Sequence, residues 1–270
     1  TGFEKYLAQQ HRDCPAHPMI VSEYGAGSDK RLHSLTPRAF DFSIEYQQKY
    51  LEHYLPVLEN TPYVCGGTHW NFIDFCSALR DESMPRINNK GLVYADRTPK
   101  DIYYYYQAAW RKDIPVLHIA SRDWPVRTGD KNEKHPVKIY TNLDEVELII
   151  NGKSIGKQRP ANCHTVFNVT LPYGTSTLKA QGDKNGQMVE DVMVLRLDAM
   201  PDLAKGDELA INVGSDCTFT SDVSGLTWLP DQPYSKGSWG YIEGKARSTT
   251  SEIENTTDGP LYQTWRENLR

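Results

Sequence analysis

The spacing of apolar residues changes character near residue 114, and that change restricts the chain to a mixed architecture. Before it, apolar runs alternate with helical patterns. After it, short segments alternate in and out with a period of two, separated by glycine turns. Residues 1–13 read as a short helix, with Phe3, Tyr6 and Leu7 on one face. Pro15 and Pro18 end it, since proline cannot continue a helix. Met19-Ile20-Val21 then lead to Glu23, and Gly25-Ala26-Gly27 follow at once. A strand of an α/β barrel ends this way when it presents a catalytic side chain. The apolar run is buried among parallel neighbours, and the carboxylate emerges at the C-terminal rim. Taken alone, the stretch fits a salt-bridged strand-end carboxylate equally well.

A helix is expected from about Ser43 to Glu59, because Ile44, Gln47/Gln48, Leu51, Leu55 and Leu58 recur at helical spacing and Asp41 or Ser43 can cap it. A second buried strand, Tyr63 to Trp70, follows, and a last helix runs from Asp101 to about Arg111. This strand–helix–strand–helix order implies a parallel sheet. Two strands cannot close a barrel of eight, so residues 1–113 read as the C-terminal part of a (β/α)8 barrel rather than a small open unit. Beyond residue 114 the segments 116–120, 137–141, 145–150, 165–171, 174–181 and 187–197 read as strands, with Asn151-Gly152 and Asn185-Gly186 as tight turns. Such spacing means an immunoglobulin-like β-sandwich over 114–200. A linker near 198–206 precedes a third module, 205–270, read as β and loop and opening with a strand over Glu208–Val213. The tyrosine run Tyr103–Tyr106 is expected to pack partly on the sandwich.

The net charge of -5 leaves no basic excess for phosphate backbones, which argues against a nucleic-acid partner. No run of 18 apolar residues suggests a membrane span, and no leader peptide is visible at Thr1. The missing initiator Met leaves open a mature product or a piece of a longer chain. The five cysteines show no zinc-like spacing and are expected to be reduced and mostly buried. His33 and His69 lack the paired spacing of metal ligands, so neither metal nor cofactor is expected.

The rim segments carry the chemistry. A carboxylate, Glu23, an indole, Trp70, and the polar groups of Asn71, Asn88 and Lys90 are the equipment of a sugar site. The apolar face of a pyranose stacks on an aromatic ring while Asn and Lys bind hydroxyls or a carboxylate. Asp74 is expected to order the rim rather than act as an acid.

Six blocks occur in order: Ser22-Glu23-Tyr24-Gly25, Leu32-His33-Ser34, Glu45-Tyr46-Gln47, Trp70-Asn71-Phe72 with Asp74-Phe75, Asn88-Asn89-Lys90-Gly91, and Asp96-Arg97-Thr98-Pro99-Lys100. Together they resemble the last quarter of the catalytic barrel of glycoside hydrolase family 2. The resemblance implies that Glu23 is the nucleophile, that Trp70 walls the sugar subsite, that Tyr24 and Asn71 belong to the substrate-binding set, and that Asn88 and Lys90 match an Asn-x-Lys motif that grips a uronate. It implies double displacement with retention on an oligosaccharide or glycoside, with a second carboxylic acid as partner. That partner is a Glu following Asn on an earlier barrel strand. The one such pair here, Asn132-Glu133, lies in the sandwich region. An upstream barrel portion is therefore the implied partner, and the chain alone is expected to be inactive. The wording around Gly25–Asp29 and Asp41–Ser43 resembles β-galactosidase-type members, with β-glucuronidase next. In such members a sandwich and a malectin-like carbohydrate-binding module follow the barrel, which implies a secreted or periplasmic location and suggests Trp228, Trp239 and Tyr241 as a sugar platform. Core aromatics are the rival reading of those three rings, and a non-catalytic carbohydrate-binding fragment is the rival reading of the chain.

Overall fold

The computed structural model describes residues 2–80 and 82–268; the outermost residues of the first and third expected modules, Thr1, Leu269 and Arg270, lie outside it. The first part comprises α1 (Gly2–Asp13), β1 (Met19–Tyr24), β2 (Leu32–His33), α2 (Ile44–Asn60), β3 (Val64–His69), β4 (Phe75–Cys76), β5 (Ile87–Asn88) and α3 (Asp101–Trp110). Ser43 caps α2 as expected, its hydroxyl accepting from Tyr46 N. The helix buries Ile44, Gln47, Gln48, Leu51, Leu55 and Leu58, the stripe visible in the sequence, and continues through Pro56. β1 and β3 pair in parallel, with Met19 opposite Val64 and Tyr24 opposite His69. They form a two-stranded sheet, and no closed sheet occurs among the described residues.

That pairing corrects one expectation. The apolar run of β1 is not fully buried: Ile20 is 73% exposed. A strand of a parallel sheet is covered on both faces only when neighbours and helices flank it. Here β1 has one hydrogen-bonded neighbour among the described residues.

The second part holds β6 (Leu117–Ile119), β7 (Val126–Thr128), β8 (His135–Thr141), β9 (Val146–Ile150), β10 (Lys153–Gln158), β11 (His164–Val169), β12 (Gly174–Lys184) and β13 (Gln187–Asp198). They build two sheets, of order β10-β9-β12-β13-β7 and β11-β8-β6. Both sheets contribute to one apolar core that includes Ile139 and Phe167 from one and Leu148, Leu178 and Leu195 from the other. Burial alternates strictly along β9, so the period-two pattern marks the inward face. Asn151 and Gly152 turn β9 into β10 with φ of 51° and 78°, and Asn185 and Gly186 do the same between β12 and β13 with 56° and 83°. The parallel pairing of β7 with β13 was not legible in the sequence. A core built on α2 and α3 of the first part extends into this part, since Ala120 and Tyr140 join Leu51, Leu55, Ile102 and Tyr105. Tyr105 lies 5.5 Å from Tyr140, so the tyrosine run does pack on the sheets.

The third part contains β14 (Ile211–Asn212), β15 (Thr218–Thr220), β16 (Thr227–Pro230), β17 (Lys245–Ser248) and β18 (Thr264–Glu267). The strand expected over Glu208–Val213 shrinks to β14. A four-stranded sheet runs β14-β16-β15-β2, with Phe219 opposite Leu32 and Thr218 opposite His33. The segment after Gly25–Gly27, which the sequence reads as a rim loop to Pro37, thus supplies a strand to the third part. Leu32, Cys217 and Phe219 form its small core, with Phe42, Trp228 and Leu261 against them. The cysteines are free, but Cys14, Cys65 and Cys76 are exposed and Cys217 alone is fully buried, against the expectation of mostly buried thiols. Cys14 follows the end of α1, and Cys65 and Cys76 lie on the short strands β3 and β4.

Candidate active site

The rim is assembled by backbone hydrogen bonds between three segments. Trp70 N donates to Tyr24 O at 2.8 Å, and Asn71 N donates to Lys90 O at 3.4 Å. The chain end of β1, the end of β3 and the loop after β5 therefore lie side by side in that order. Gly25 permits the first approach, because a Cβ there would stand 2.1 Å from Trp70 O. Glu23 is exposed at the end of β1. Trp70 is 39% exposed and meets Phe75 edge-on with ring centroids 6.1 Å apart. Asn88 is buried in β5 opposite Phe75, and its Oδ1 accepts from Lys90 N at 3.4 Å. Asn71 is buried and donates through Nδ2 to Ile73 O, and its Oδ1 has no partner among the described residues. Tyr24, expected among the substrate-binding residues, is instead packed inside, its hydroxyl 3.0 Å from that of Tyr106. Neighbouring strand residues point to opposite faces, so an exposed Glu23 sends Tyr24 inward.

Beneath the rim lies a polar knot of which sequence reasoning singled out Asp74 but not Lys100 or Gln47. The fully buried Lys100 places Nζ 2.9 Å from Asp74 Oδ2, 3.2 Å from Ser28 Oγ and 3.0 Å from Asn89 O. Asp74 also accepts from Gly91 N at 2.7 Å. Gln47, from α2, donates to Ala26 O at 3.0 Å and Gly91 O at 3.2 Å and accepts from Ser28 Oγ. One lysine and one glutamine thus tie the turn after Glu23 to the loop that carries Asn88 and Lys90. Burial pushes the Asp74 carboxyl above the usual carboxylate range and the Lys100 ammonium below its own, while their mutual attraction opposes both shifts. Asp74 accordingly orders the rim. A signal for Lys100 existed: it occupies the N-cap of α3 without a capping bond, where the helix dipole repels a cation. A lysine placed there needs a specific acceptor.

The remaining candidates sit elsewhere. His33 is buried, with Nδ1 3.0 Å from Glu45 Oε1, and stacks on Trp124. His69 donates through Nε2 to Lys90 O at 3.1 Å. Trp228 lies against Phe219, the Arg266 guanidinium covers the Tyr241 ring at 3.3 Å, and Trp239 is buried. The three aromatic rings therefore do not form one open platform.

Burial pulls the His69 imidazole down to about 4, so it is neutral in the folded protein. The unfolded chain binds this proton near pH 6.5. Stability from His69 is complete above that value and is lost as pH falls from about 6.5 towards 4. The expected loss is at most about 3 kcal/mol. His69→Gln should flatten the pH dependence of the denaturant midpoint in this window; an unchanged slope would refute the assignment.

Residues 1–113 match the family described as glycosyl hydrolases family 2, TIM barrel domain. These residues belong to glycoside hydrolase family 2. Residues 132–190 of this family 2 chain match a domain of unknown function (DUF4982). The solved structure of Bacteroides uniformis β-glucuronidase 2 covalently bound to cyclophellitol-6-carboxylate aziridine is 68% identical, with a TM-score of 0.91, covering 97% of this chain and 32% of that one. A β-glucuronidase of Bacteroides fragilis is 30% identical over 198 residues, covering 70% of this chain and 28% of its own. The β-galactosidase BoGH2A of Bacteroides ovatus is 30% identical over 143 residues, covering 52% of this chain and 16% of its own. The family 2 chain thus spans about a third or less of the length of the relatives it matches.

Proposed function

We propose that this chain supplies the nucleophile-bearing rim of a retaining exo-β-glycosidase that acts on β-glucuronides. The observation that carries the reading is the juxtaposition of exposed Glu23, Trp70 and the Asn88–Lys90 loop, fixed by the bonds from Trp70 to Tyr24 and from Asn71 to Lys90. Glu23 attacks the anomeric carbon from one side of the sugar ring. A glycosyl ester forms as the leaving oxygen takes a proton from a second carboxylic acid, and water then cleaves the ester with that group as base. Trp70 offers a face to the pyranose. Lys90 is a compact cation suited to a sugar carboxylate, and Asn88 fixes its backbone. The sequence favoured galactosides over glucuronides; the order is reversed here because the 68% identical relative binds a carboxylate-bearing cyclophellitol aziridine. The two facing sheets fit an immunoglobulin-like sandwich. Residues 205–268 hold the rim loop through the pairing of β15 with β2.

The test is hydrolysis of nitrophenyl β-glucuronide and β-galactoside by the full-length protein. Glucuronide turnover is expected to dominate. Lys90→Ala should lower kcat/KM for glucuronide by about tenfold to a hundredfold, the worth of a charge-assisted hydrogen bond, and leave galactoside turnover nearly unchanged. Preference for the galactoside, or equal effects on both, would overturn the glucuronide assignment.

A further inference from the structure

A cavity of about 1000 Å³ lies where the rim loop, the β7 edge and the third part meet. Its wall includes Trp124, Arg127, Gln232, Ser238 and Trp239. Arg127 is 4% exposed, and its guanidinium lies 4.9 Å over the Trp124 ring. Its Nη1 donates to Pro136 O at 2.9 Å, while its Nε has no acceptor among the described residues. Trp124 is 7% exposed, and its Nε1 has no acceptor either. Two buried donors beside this wall are thus unsatisfied among the described residues, and one belongs to a cation. Leaving such groups unpaired is costly, so native structures normally satisfy them.

Among the described residues no carboxylate forms an ion pair with Arg127. The acidic residues of the wall are engaged elsewhere: Asp216 with Arg38 at 3.0 Å, Asp231 with Arg266 at 2.9 Å and Asp202 with Lys205 at 2.8 Å. Asp130 accepts from Asn132. Glu133, in an exposed turn, is the wall carboxylate that remains. Glu45 and Asp101 attract the guanidinium from a distance, but His33 and His118 already hold them. Burial pulls the Arg127 guanidinium down to about 10, which leaves it charged at neutral pH.

We propose that this cavity binds a small ligand through an oxyanion, a carboxylate or a phosphate, that pairs with Arg127 beside Trp124. The volume suits a ligand of one or two rings. A planar guanidinium is the side chain best matched to either oxyanion.

The experiment uses full-length protein carrying Lys90→Ala, which removes the cation assigned to substrate. It is titrated by calorimetry with D-glucuronate and, separately, with inorganic phosphate. Saturable binding of at least one is expected, and the arm that responds identifies the source of the oxyanion. Adding Arg127→Gln should weaken that binding by about tenfold or more. Arg127→Gln alone should leave nitrophenyl glycoside turnover unchanged, which separates this cavity from the Glu23 rim whatever sugar that rim accepts. Absence of binding in both arms, or binding indifferent to Arg127, would overturn the proposal. If Arg127→Gln does not fold, Trp124→Phe, which keeps a ring but removes the indole donor, is read for the same loss, and unchanged affinity there refutes the site. Glu133→Gln should leave or raise affinity. A fall in melting temperature instead would identify Glu133 as the counter-ion and end the argument.

Discussion

Glu23→Gln is expected to reduce glycoside turnover by the full-length protein at least about 10³-fold, the scale on which removal of a covalent nucleophile acts. The amide is nearly isosteric, but it cannot form the glycosyl ester on which the two-step route depends. The side chain is exposed among the described residues, so its replacement leaves no cavity there. Stability should therefore stay within about 0.5 kcal/mol of the parent. The measurements are steady-state kcat with a nitrophenyl glucuronide and intact mass after exposure to cyclophellitol-6-carboxylate aziridine. The parent should gain the mass of the adduct and the variant should not. Full labelling of the variant would move the nucleophile to another residue, and a large drop in melting temperature would make Glu23 structural. The isolated 270-residue chain is expected to show no turnover, because the proposed mechanism needs a second carboxylic acid.

The second large effect is on stability. Lys100→Met should destabilise the protein by about 3–5 kcal/mol, because it leaves the Asp74 carboxylate buried without its cation. Adding Asp74→Asn should recover part of the loss, since the neutral amide no longer needs a counter-charge. Denaturant melts of the single and double variants form the cycle that measures this coupling. Lys100 also donates to Asn89 O, so the loop bearing Asn88 and Lys90 loses an anchor. Glucuronide KM should rise more than kcat falls. Strict additivity of the two substitutions would show that the pair is not coupled and that the knot is incidental.

The local features were legible because local chemistry fixes them. Ser43 caps α2, the leucines of α2 share one face, and both Asn-Gly turns adopt positive φ as their residue types demand. The rim segments were found from residue types, because a carboxylate after an apolar run and an indole after another mark strand ends. What escaped depends on distant partners. β2 is two residues long within a polar loop and becomes a strand only because β15 lies beside it. Tyr24 shares a motif with Glu23 yet faces Tyr106, since strand alternation separates neighbours that a motif lists together. Lys100 opened a helix in the sequence, and its acceptors, Asp74, Ser28 and Asn89, come from three different segments. The exposure of Ile20 followed from a missing neighbour, which no property of β1 itself reveals.

The pairing of β2 with β15 bears on how such chains evolve. Leu32 and His33 belong by sequence order to the barrel portion, but their hydrogen bonds belong to the last segment. A recombination event that exchanged everything after residue 200 would cut no covalent element of the barrel, yet it would strip a strand of its partner next to the turn that follows Glu23. The newcomer would have to offer a matching edge to be accepted. Genetic modularity and mechanical modularity therefore diverge in this chain, and inheritance of the tail should be coupled to inheritance of the loop it grips.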